Sequence, residues 1–143
     1  MSTMKVTLNR INDDYLFEAK GPSGASVFID DAPKGKAKGA SPMELLLMGV
    51  GSCSAMDVIS ILKKQRQEIK AYHIEVEGSR KKVKEATPFD RIHVKIFLEG
   101  TIAPAKAIRA AALSFEKYCS VSITMEESVQ VSHQILINGK EVA

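Results

Sequence analysis

The stretch Ser41–Lys64 reads SPMELLLMGVGSCSAMDVISILKK, and its reading decides the fold. Ser41 is placed to cap a helix, Pro42 suits the first helical position, and Glu44 stands three residues after the cap. That capping-box pattern satisfies amide donors which the first turn would otherwise leave unpaired. From Leu45 to Met56 no residue is charged, and apolar side chains fall on every face of a helix drawn through them. A helix apolar nearly all round is buried. The uncharged run falls short of the roughly 18 residues that a bilayer requires. The pattern therefore predicts a buried core helix from about Pro42 to Glu68, ending in the polar segment KKQRQEIK, with Cys53 near its middle.

Upstream, Lys5–Arg10, Tyr15–Lys20 and Ala25–Asp30 read as three short strands joined by Asn12-Asp13-Asp14 and Gly21-Pro22-Ser23-Gly24, an antiparallel meander. The loop Asp31–Ala40 carries Lys34, Lys36 and Lys38 but lacks the spacing of a phosphate-cradling loop. It reads as a mobile, solvated loop, or as a cationic lid beside the helix start. Downstream, Tyr72, Ile74 and Val76 alternate with polar residues, and so do Ile92, Val94, Ile96 and Leu98. Both runs predict strands with one buried face, paired antiparallel. Pro104 opens an alanine-rich helix that runs to Cys119, with Ser120 and Ser122 available to cap a second helical segment. Val129 to Ile137 alternates as a last strand, with Asn138-Gly139 as a turn. The order predicts an α+β fold, helices packed on antiparallel sheet.

At 143 residues, 45% hydrophobic and 26% charged, the chain is expected to form one domain spanning residues 1–143. A net charge of +3 with scattered lysines gives no basic stripe interleaved with aromatics, so nucleic-acid binding is not indicated. The start MSTMKVTLNR lacks the apolar core of a signal peptide, and a cytoplasmic location is expected. Three separated histidines give no metal-site spacing. His73 and His93 fall on polar strand faces, while His133 falls on an apolar one, as a hydrogen-bonded core or interface residue.

Two cysteines 66 positions apart fit neither a secreted disulfide framework nor a zinc site. They are either inert core residues or a redox pair. Gly49, Gly51, Ser52, Ser54 and Ala55 surround Cys53 with small side chains that permit close approach. Cys119 stands at a break between helical segments, where unpaired amides favour a thiolate. Asp57, one turn after Cys53 on the same face, opposes a thiolate there.

The stretch Ser41–Val58 resembles the central-helix signature of the OsmC/Ohr family, and Tyr118–Ser122 (YCSVS) is similar to that family's second cysteine motif. The wording SPMELLL…CSAMDV most resembles the YhfA-like branch. The resemblance implies an intertwined homodimer of two-layer α+β subunits, with the long helix at its centre and two sites at the interface. It implies thiol-dependent reduction of organic hydroperoxides without metal, haem or flavin. The apolar surroundings of Cys53 lead us to expect a small apolar hydroperoxide, and the charge pattern and run length lead us to expect neither nucleic acid nor membrane as partner. Cys53 would attack the O–O bond and become a sulfenic acid, and Cys119 would close a disulfide that an external dithiol reduces.

Some positions depart from the family pattern. The glutamate that follows the motif's proline in the peroxidase branches, where it orients an arginine onto the cysteine, is Met43 here. Glu44, nine residues before Cys53, faces the opposite side of the helix about 13 Å away and reads as the capping partner of Ser41. Arg10 is the only arginine in the N-terminal part, with Lys34, Lys36 and Lys38 as other sources of positive charge. Ser120 replaces the proline that commonly follows the second cysteine. These departures also suit a non-catalytic protein that binds a small apolar molecule or senses redox state through the same pocket.

Overall fold

The computed structural model describes residues 2–143, and the chain divides into two compact units at Leu46/Leu47. The first unit holds the predicted meander. Strands β1 (Thr7–Arg10), β2 (Phe17–Lys20) and β3 (Ser26–Ile29) form an antiparallel sheet in chain order. The Asn12 carboxamide oxygen accepts from the Asp14 and Leu16 amides at 2.9 and 3.2 Å, which fixes the first turn. The register aligns Leu8, Ala19 and Val27, with Leu8 and Val27 about half exposed. The lysine loop is anchored rather than free. The buried Asp30 carboxylate accepts from the Asp31 and Lys38 amides, and the Asp30 amide donates to the Ala40 carbonyl.

Helix α1 (Pro42–Lys64) starts as its caps require. The Glu44 amide donates to Ser41 Oγ at 3.2 Å and the Ser41 amide to Glu44 Oε2 at 3.1 Å, a reciprocal capping box. The helix ends at Lys64, four residues before the expected Glu68. Arg66 adopts φ 57°, and the Arg66 and Gln67 amides turn back to the Lys63 and Leu62 carbonyls. This is a Schellman stop built on an arginine instead of the usual glycine, so the composition carried no warning of it.

In the second unit, β4 (Glu68–Arg80) and β5 (Phe89–Thr101) form a long antiparallel hairpin. β6 (Gln130–Ile137) joins the far edge of β5 and runs parallel to it. The sheet is therefore mixed, because the helical segment between β5 and β6 carries the chain back to the starting end. A two-residue Asn138-Gly139 turn, both at positive φ, leads to a short β7 (Lys140–Glu141) that the sequence reading omitted. Ile92, Val94, Ile96 and Leu98 point to one buried face, where the core also takes Val58, Leu62 and Ile135. Gly51 lets α1 approach the sheet, since a Cβ there would lie 2.8 Å from Val76 Cγ2.

Burial of α1 on every face, expected from its composition, is met on one face only. Val50, Gly51, Ser54, Ala55, Val58 and Leu62 are buried, while Met48 and Met56 remain 55% and 66% exposed. One side of a helix packed on a sheet is covered, and the opposite side needs a further partner. By length and composition alone α1 could cross a bilayer, with mean hydropathy 1.9, although a third of that window is buried within the protein.

Candidate thiol site

Alpha-helical geometry turns successive side chains by 100°, so Cys53 and Asp57, four residues apart, share a face of α1. The third member comes from the segment between β5 and β6. Helix α2 (Pro104–Leu113) leads into a π-helical turn at Ser114–Tyr118, and α3 (Ser120–Met125) follows. Cys119 separates them as the N-cap of α3, so the single helix expected up to Cys119 is broken at Leu113. Within an α-helix, Ser114 and Cys119 would point about 140° apart. The wider π turn closes that angle, and the Cys119 amide donates to the Ser114 carbonyl at 2.7 Å.

As a result the Cys53 sulfur, the Cys119 sulfur and an Asp57 carboxylate oxygen all lie within 4.8 Å of one another. Neither cysteine is in a disulfide, and Cys53 is half-buried while Cys119 is fully buried. A disulfide would require the two sulfurs to close to about 2 Å. The Ser114 hydroxyl, itself buried, donates to Asp57 Oδ2 at 2.9 Å. Ser122 serves Cys119 twice, with its amide at 3.5 Å and its hydroxyl at 3.0 Å from the sulfur.

The expected thiolate preference of Cys119 does not survive its burial. Desolvation raises its pKa above the ordinary value of 9.0 and outweighs the two Ser122 hydrogen bonds, which lower it. The neighbouring Cys53 raises it further. Cys119 therefore sits as a neutral thiol turned toward Cys53.

Asp57 also lines a cleft of about 420 Å³ with Ser60, Ile61, Lys64, Leu113 and Tyr118. Ile61 and Leu113 give it apolar walls, and Lys64 supplies a cation. Arg10 belongs to the first unit, where it ends β1 and its Nε donates to the Asp14 carbonyl at 2.7 Å. Glu44 is engaged in its cap, as the sequence indicates. His133 stacks on Phe115 with ring centroids 4.8 Å apart, and burial lowers its pKa. His73 is exposed beside Glu75, and His93 meets Ser132 on the opposite sheet face from the core.

The sequence reading thus brought forward three of the site's residues and missed Ser114. Its signal was a lone hydroxyl after the apolar run Ala110–Leu113, visible only once a π turn is allowed. Ser122, read as a cap, instead donates to the cysteine that does the capping.

Comparison with known proteins gives the family and the fold. The family model described as OsmC-like protein matches residues 35–134, which contain both cysteines, Asp57 and both serines. Protein YhfA of Escherichia coli K12 is 37% identical over 120 residues, covering 82% of this chain and 86% of its own. A hypothetical protein from Aquifex aeolicus superposes with a TM-score of 0.81 at 33% identity, over 96% of this chain and 99% of that one. An organic hydroperoxide resistance protein from Elizabethkingia anophelis shares the fold at a TM-score of 0.72 and 13% identity, over 96% of this chain and 98% of that one. With the family match spanning most of the chain and the same α+β architecture throughout, this protein belongs to the OsmC-like family.

Proposed function

We propose that the protein is a thiol peroxidase that reduces small organic hydroperoxides. The observation that carries this reading is the meeting of two free cysteine sulfurs, 66 residues apart in sequence, with Asp57, which also lines a cleft partly walled by Ile61 and Leu113. Cys53, the more exposed of the two, attacks the terminal peroxide oxygen as a thiolate. The O–O bond breaks, the alkoxide takes a proton and leaves as an alcohol, and Cys53 becomes a sulfenic acid. Cys119 then gives up its proton and its sulfur attacks the sulfenic sulfur. The S–O bond breaks and the leaving hydroxide takes that proton, giving the Cys53–Cys119 disulfide and water. An external dithiol restores both thiols. Asp57 works against the thiolate, and the Ser114 hydroxyl offsets part of its charge. Arg10, or a lysine of the Asp31–Ala40 loop, is the proposed cation in a homodimer, in which α1 packs through the exposed line Met48, Ser52 and Met56 at helical spacing.

Turnover of an alkyl hydroperoxide with a dithiol tests this directly. Wild-type activity should exceed that of Cys53→Ser by at least about 10³-fold, and Arg10→Ala should slow the first step. Equal rates in wild type and Cys53→Ser would refute the reading. A binding or redox-sensing role is the second reading, favoured by Met43 at the position where the peroxidase branches carry glutamate. It predicts a disulfide after stoichiometric peroxide without multiple turnover.

A further inference from the structure

We infer that the reduced site binds a zinc ion through Cys53, Cys119 and Asp57, a role for these residues that does not depend on peroxidase activity. Two thiolates and a carboxylate are a borderline-soft donor set suited to zinc rather than to magnesium or calcium. Zinc–sulfur bonds of about 2.3 Å and a tetrahedral angle set the two sulfurs about 3.8 Å apart, with the oxygen closer still. The donor atoms here lie within 4.8 Å of one another, so shifts of about 1 Å or less complete the set.

Two further observations point the same way. Two of the three donors already have an outer partner, Ser114 on Asp57 and Ser122 on Cys119. Such hydrogen bonds orient metal ligands and stabilise thiolate sulfur. Charge supplies the second argument. Asp57 beside two sulfurs is a liability for a lone thiolate, whereas a dication turns all three negative groups into attractive ones. Binding balances as one Zn²⁺ and two thiols giving a zinc dithiolate and two released protons, with Asp57 as third ligand and water in the fourth position. The disulfide form has no thiolate to offer and releases the metal.

Cobalt is the spectroscopic probe. Reduced full-length protein titrated with Co²⁺ should develop a thiolate-to-metal charge-transfer band that saturates at one equivalent and is bleached by Zn²⁺. Cys53→Ser should weaken zinc binding roughly 100-fold and Asp57→Asn roughly 10-fold, and protein oxidised to the disulfide should bind none. Absence of the band in the wild type, or zinc affinity in Cys53→Ser within threefold of wild type, would overturn the inference. The wild-type spectrum decides the matter even if a Cys119 variant fails to fold. Because no peroxide enters the titration, loss of metal binding and loss of peroxidase activity are separate results.

Discussion

At Cys119 two influences oppose each other on one sulfur: Ser122 donates to it twice, yet burial holds it protonated. Cys53, half-buried at the mouth of the pair, is the thiol a reagent meets first. Brief exposure to iodoacetamide at neutral pH should label Cys53 at least about tenfold faster than Cys119, with peptide mapping as the readout. Ser114→Ala should leave the Asp57 carboxylate short of its donor, cost about 1–2 kcal/mol in denaturant unfolding, and slow Cys53 labelling. His133 gives the pH dependence. Its folded pKa is lowered, so below the ordinary value of 6.5 the unfolded chain takes up a proton that the folded one resists. Stability should fall as pH drops from 6.5 and level off below the folded pKa. Thermal unfolding between pH 7.5 and 5 should show that slope, and His133→Phe, which keeps the stack on Phe115, should flatten it.

Helix α1 shows what could be read in advance at the level of elements. Its start was legible because Ser41 and Glu44 form a local cap that needs no tertiary partner. Its end was not, because Arg66 takes a left-handed conformation that residue identity does not announce. The strands β4 and β5 followed from alternation alone, whereas the parallel pairing of β6 depends on where the intervening helices return the chain. Cys53 and Asp57 were legible as a pair from helical spacing. Ser114 was not, since only a π turn places it beside them. Within α1, Ser41→Ala should cost about 1 kcal/mol through the lost cap. Leu62→Ala should cost about 2–5 kcal/mol, because Leu62 is fully enclosed and its removal leaves a cavity. Urea midpoints at constant m-value would measure both.

At the scale of the molecule, Met48 and Met56 on α1 and Leu8 and Val27 on the first sheet leave apolar surface exposed in the single chain. Sedimentation of the 15.6 kDa chain should therefore report a dimer, and Met56→Glu should shift it toward monomer. The parallel placement of β6 has a kinetic consequence. Cys119 lies in the crossover that β6 must anchor, while α1 and the β4–β5 hairpin precede it in the chain. Local hairpin contacts form early and distant closures late. The two thiols should thus come together only when the last strand docks, so that pairing serves as a clock for completed folding. In a refolding experiment under mild oxidant, quenched by acid at intervals, the Cys53–Cys119 crosslink should lag behind the β-sheet signal. A chain cut short before Gln130 should form it slowly or not at all.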